Sequence, residues 1–171
     1  MGTALRPWYE MRPVGLEFLD EAPLRVEIAL TTALSPERVW GAFVDPRSWT
    51  AWFPGVRDAS YPGQSPPFGV GTLRAADVEG ELFEETILAW QEPLRWTYRI
   101  DRCTAPLAHA QVESTELAPS ASGGTRVAWI LASDPREGLA AARDALPAIL
   151  ERRLGAALAN LERGLAGDRS A

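Results

Sequence analysis

A chain of 171 residues is one domain's worth of sequence and is long enough to bury a core without disulfides or metals. Hydrophobic residues at 46% and charged residues at 23% are ordinary for a globular protein, and no apolar run approaches the ~20 residues that cross a bilayer, which speaks against integral membrane association. A net charge of −6 excludes a surface built to hold phosphate backbones, so nucleic acid is not an expected partner, and the single Cys103 excludes an intramolecular disulfide and suits a reducing compartment, the cytoplasm by default.

The N-terminus carries Arg6 where a myristoylation signal needs Ser or Thr, and it has no apolar stretch of the kind a secretory signal contains. Residues 1–23 show no sustained period; Trp8, Tyr9, Leu16, Phe18 and Leu19 either pack on the domain as a strap or belong to a loose tail. Residues 25–32 alternate, with Val26, Ile28 and Leu30 on one side and Arg25, Glu27 and Thr31 on the other, as in a half-buried strand. Ser35-Pro36-Glu37 then starts a helix: an N-cap, a proline at the first helical position and an acid near the positive end of the dipole. Val39, Trp40 and Phe43 form its apolar face, and Asp45-Pro46 begins a second short helix through Trp49 and Trp52.

Residues 56–61 read as a short strand, and the Pro/Gly-dense 62–71 as a loop. Strands follow at 72–79, 81–90, 95–101, 107–117 and 125–133, with a hairpin link at 91–94 and a turn at 120–124. Strands without intervening helices predict an antiparallel meander. From about Gly138 to Leu165 the period becomes helical, with Leu146, Leu150, Leu154, Leu158, Leu161 and Leu165 on one face. Pro147 places the start of the main helix near Asp144 or kinks it. The chain divides into an N-terminal extension (1–24), a domain (25–167) and a short tail (168–171).

Three segments resemble the START-like superfamily, in its bacterial polyketide cyclase/lipid-transport branch: ALSPERVWGAFVDPRSWTAWFPGV (33–56), ETILAWQEPLRWTYRI (85–100), and GGTRVAWIL (123–131) followed by a helix containing LANLERGL (158–165). The resemblance covers about residues 25–165 and implies an α+β helix-grip fold: a curved antiparallel sheet wrapped around a long C-terminal helix, with two short helices after the first strand and an apolar cavity between sheet and helix. Members of this superfamily bind lipids, polyketides, sterols or plant hormones; some are aromatase/cyclases and some, resembling chaperone activators, bind proteins. No cofactor is implied, and a homodimer stays open.

Seven tryptophans are many for this length. Trp96 and Tyr98 share a strand face with Ile100, Trp129 lies with Val127 and Leu131, and Trp90 lies with Leu88 and Leu82. Such aromatics make either a solid core or the wall of a pocket for a greasy ligand. Glu84 alternates with Leu82, Thr86, Leu88 and Trp90, so it is expected on their face, although the opposite face (Phe83, Ile87, Ala89) is apolar too. A buried carboxylate there would need a partner. His109 and Glu113 share one face of the 107–117 strand, with Gln111 between them. One His and one Cys cannot make the usual zinc set, and no carboxylate spacing suggests calcium, so no metal is expected.

The leading expectation is a noncatalytic cavity for a hydrophobic small molecule, lipid- or polyketide-like. Trp52, Phe53, Trp90, Trp96, Tyr98, Trp129, Leu146 and Leu150 would wall it, Glu84, His109 and Glu113 would orient a polar end, and Phe68 in the 62–71 loop would gate it together with the turn after Trp52. A second reading is a polyketide cyclase or dehydratase with His109 as acid/base, which requires that imidazole inside the cavity. A third is a protein-interaction module resembling chaperone activators, with a filled core and an exposed apolar patch near Trp8-Tyr9 or Trp49.

Overall fold

The computed structural model describes residues 6–167. Strand β1 (Tyr9–Glu10) and helix α1 (Phe18–Glu21) precede β2 (Leu24–Thr32), helix α2 (Pro36–Val44), a single 3-10 turn (Pro46–Ser48) and α3 (Trp49–Trp52). Six strands follow: β3 (Val56–Ser60), β4 (Leu73–Val78), β5 (Glu81–Gln91), β6 (Arg95–Cys103), β7 (Ala108–Pro119) and β8 (Thr125–Pro135). Helices α4 (Glu137–Ala141) and α5 (Leu146–Gly167) close the chain.

The sheet is antiparallel, in the order β2-β8-β7-β6-β5-β4-β3. Strands β3 to β8 form the expected meander, and the first long strand joins the last, which leaves β2 and β3 as the two edges. Helix α5 lies on the inner face. Its stripe of Leu146, Leu150, Leu154, Leu158 and Leu161 is buried with Val26 and Ile28 of β2 and Val39, Trp40 and Phe43 of α2. This is the helix-grip arrangement. The Leu165 side chain and residues 168–171 lie outside the described residues.

Several local signals act as the sequence suggests. Pro147 sits in the first turn of α5, where its missing N–H breaks no helical bond. Asp45 caps the second short helix by accepting the Arg47 amide at 3.1 Å. Ser35 has the extended backbone of an N-cap, but its hydroxyl makes no capping bond.

The N-terminal extension is a strap. Beyond Arg99, β6 and β7 diverge, and β1 takes up the pairing with Arg102 and Cys103 of β6. Met11 donates to the Asp101 carbonyl and Arg12 to that of His109, so the strap bridges the fork. It then crosses the outer face of the sheet, where Phe18 and Leu19 bury Ala110, Val112, Ile130 and Ala132 in a second, smaller core.

Candidate functional site: a cavity with a polar belt

Between the sheet's inner face and α5 lies a cavity of about 190 Å³. That is far more than the roughly 10–15 Å³ one water needs by the same kind of measure. The helical side is apolar apart from Arg153 of α5: Phe43 of α2, Trp49 of α3, Phe53 after it, and Leu150 and Leu154 of α5.

The sheet side carries a polar belt built by cross-strand register. Alternation turns Arg74 of β4, Glu85 of β5, Tyr98 of β6, Gln111 and Glu113 of β7, and Trp129 and Ser133 of β8 inward. Arg74 is directly opposite Glu85, Tyr98 opposite Glu113, and Gln111 opposite Ser133. Directly opposed side chains on one sheet face are close enough to bond. The Arg74 guanidinium donates to Glu85 at 2.6 Å. Glu113 accepts from the Tyr98 hydroxyl at 2.7 Å, the Gln111 amide at 2.8 Å and the Trp129 indole at 3.1 Å. Ser133 in turn donates to Gln111 at 3.3 Å.

Burial sets the electrostatics. It pushes the Glu85 carboxyl up from its ordinary value, and Arg74 pulls it back only in part. Burial alone would lower the Arg74 guanidinium, but Glu85, Tyr98 and Tyr61 together offset this and hold it above its ordinary value. The Arg74 charge also rests 4.3 Å above the Trp49 ring. Burial, reinforced by Glu113, raises the Tyr98 hydroxyl well above 10.0. Arg74 Nε and Trp96 Nε1 are buried donors without a hydrogen-bond partner among the described residues. No group of three or more His, Cys, Asp or Glu among those residues is placed to hold a metal.

Of the residues singled out from sequence, Phe53, Tyr98, Glu113, Trp129 and Leu150 line the cavity. Trp52, Trp90, Trp96 and Leu146 pack behind it. Trp52 donates to Ser48 and packs at a tilt against Phe43 and Trp49, and Trp90 meets Trp40 edge-on at 5.8 Å. Trp90 does not share a face with Leu88: an irregularity between Ile87 and Ala89 turns the strand, so that Leu88 joins the outer core and Trp90 the inner one.

Three placements are corrected. Glu84 points outward and binds Arg102 with both carboxylate oxygens at 2.8 and 2.9 Å; its neighbour Glu85 is the buried one. His109 is exposed, because a register irregularity between Ala108 and Ala110 separates it from the inward face of Gln111 and Glu113. Phe68 packs on Tyr61 at 4.6 Å and does not line the cavity. The half-buried lining residues Val78, Phe83, Leu107, Leu139 and Arg153 mark the mouth instead.

Arg74 and Glu85 were not legible as site residues, whereas Gln111 was already placed between His109 and Glu113 on their strand face. The available signal was the alternation of β4, where the apolar Ala76 and Val78 share a face with Arg74. The Cys103 thiol is buried, which raises it, and it donates to the Ala105 carbonyl, so it is not presented as a nucleophile.

Residues 23–166 match the family described as polyketide cyclase / dehydrase and lipid transport. An uncharacterized protein of Mycobacterium tuberculosis is 26% identical over 125 residues, covering 72% of this chain and 74% of that one. Among solved structures, the Zhui aromatase/cyclase from Streptomyces superposes with a TM-score of 0.64 at 20% identity, covering 86% of this chain and 95% of that one. A START superfamily protein from Mycobacterium smegmatis gives a TM-score of 0.57 at 15% identity, covering 84% and 95%. At these identities the structural likeness concerns the fold.

Proposed function

The chain belongs to the polyketide cyclase / dehydrase and lipid transport family, and we propose that it binds a small hydrophobic molecule in the cavity between sheet and α5, in the cytoplasm and without transforming it. The observation that carries this reading is the cavity's two-sided chemistry. One wall offers aromatic and leucine side chains, which gain about 25 cal/mol for each Å² of apolar ligand surface they take from water. The other offers a few fixed polar groups, the combination by which small-molecule sites select an orientation. Glu113 and Gln111 present oxygens to a ligand hydroxyl, and Arg74 has a donor to spare for a ligand carbonyl.

The cyclase reading drew its acid/base from His109, whose side chain stands in solvent, so no observation favours it over binding. The interaction-module reading needed a filled core and an exposed apolar patch near Trp8-Tyr9 or Trp49; Trp49 is buried, Trp8 is exposed but carries the Arg102 guanidinium 4.6 Å from its ring, and the core holds a cavity, so binding inside is the reading favoured.

Native mass spectrometry of the protein incubated with a panel of aromatic and alkyl alcohols and ketones tests the proposal. One-to-one adducts that disappear on denaturation are expected. A bare protein across the whole panel would count against it.

A further inference from the structure

The cavity has two arginines in its lining, and they differ in availability. Arg74 already has its charge matched by Glu85 at 2.6 Å, with both side chains almost fully buried. Parting them would strand a charge in the interior, which is strongly unfavourable. Arg153 comes from α5 at the mouth, and its partner Glu79, at 2.8 Å, has a side chain that is 68% exposed. An ion pair so open to water holds little net stability, so another anion can take the place of Glu79 at small cost.

The local backbone is arranged around this guanidinium. Glu79-Gly80 is the two-residue turn between β4 and β5, with φ of 56° and 90°. The first position of such a turn favours Asn, Asp or Gly. A glutamate stands there, and its side chain is spent on Arg153. Across from it, Gly55 has φ +84°, and a Cβ at that position would lie 2.8 Å from Glu79 Cγ and 3.1 Å from Arg153 Nη2. A side chain there would be strained by the positive φ and would push the pair aside. The Glu79 amide donates to the Gly55 carbonyl at 2.7 Å, which ties the two turns together beside the mouth.

Deeper inside, two carboxyl groups, Glu85 and Glu113, face the cavity against the one guanidinium of Arg74. The interior therefore disfavours an anion while the mouth offers it an arginine. We propose that Arg153 is an anion-binding site at the mouth, so that the preferred ligand is an apolar or aromatic acid whose charged end stays at Arg153 while its uncharged body fills the cavity. This rests on the cavity-binding reading above.

Anilinonaphthalene sulfonate and phenylnaphthylamine share one ring system and differ by the sulfonate, so fluorescence titration of the full chain with both separates the two ideas. The sulfonate is expected to bind about fivefold tighter at low ionic strength, and the gap to narrow with salt. Arg153→Gln should close the gap by weakening the sulfonate about fivefold more than phenylnaphthylamine, Arg153→Lys should keep most of it, and Glu79→Gln should widen it. If phenylnaphthylamine binds and the sulfonate binds no better, or if Arg153→Gln weakens both probes alike, the anion site is wrong and the cavity reading stands. If neither probe binds the wild-type chain, both fall.

Discussion

Arg74 and Glu85 face each other in register across β4 and β5, joined at 2.6 Å with side chains only 3% and 5% exposed. The pair bridges the polar belt to the aromatic wall, because the same guanidinium stacks on Trp49. Removing one member leaves the other charge buried and unmatched. Glu85→Ala should therefore cost about 3–5 kcal/mol in urea unfolding, and the double replacement Arg74→Met/Glu85→Leu should recover most of that loss. A Glu85→Ala cost below about 1 kcal/mol would mean the pair is solvated and not part of a closed interior.

Glu113 is the hub of three donors, from Tyr98, Gln111 and Trp129. Tyr98→Phe deletes one bond and should cost about 1 kcal/mol. Glu113→Leu strands all three donors and should cost markedly more, about 3 kcal/mol in the same assay. Equal costs would contradict the hub.

The two buried tyrosines predict alkaline sensitivity. Burial raises both Tyr61 and Tyr98 above the ordinary 10.0. With the folded values above the unfolded one, the unfolded chain gives up these protons first as pH rises. The stability is thus whole below pH 10 and is lost as pH climbs from there toward the folded values. Tyr61→Phe and Tyr98→Phe should each make the fall in unfolding free energy above pH 10 shallower.

Glu162 predicts the acid side. The Thr32 hydroxyl at 2.5 Å and the Ala33 amide at 3.0 Å hold its carboxyl below the ordinary 4.5. Here the folded value is the lower one, so the contribution is present above pH 4.5 and is lost as pH falls through the folded value. Glu162→Gln should reduce stability at neutral pH and flatten the loss on acidification, as read by thermal melts from neutral pH downward.

The strap predicts a cost of removal. Phe18 and Leu19 cover apolar residues of β7 and β8 on the outer face of the sheet. Phe18→Ala should cost about 3 kcal/mol. Deleting residues 1–22 should bare that face and drive self-association, measured by light scattering on a sizing column. A monomer of unchanged stability would show that the outer core contributes nothing.

Much of the architecture could be read from residues because it rests on local patterns. Alternation marked β2 and β5 to β8, Pro36, Pro46 and Pro147 marked helix starts, and leucine spacing marked the buried face of α5. The site was harder because side-chain direction in a strand depends on register. In β5 both faces are apolar, so Glu84 and Glu85 exchange roles with the choice of face. The irregularities near Leu88 and His109 each shift one residue across the sheet, and nothing in the chain next to them announces it. The Arg74–Glu85 pair is eleven residues apart and meets only through the turn at Glu79-Gly80. The strap's destination likewise depends on the β6/β7 fork, a tertiary feature.

Filling the cavity between sheet and α5 tests most directly whether it takes an apolar ligand. Leu131 lines the cavity from β8, and Leu131→Trp would occupy the space a ligand needs. Titration of wild type with phenylnaphthylamine should give saturable one-to-one binding, and Leu131→Trp, once shown by its melt to be folded, should abolish it. Undiminished binding by the folded Leu131→Trp protein would place the probe elsewhere and contradict the account.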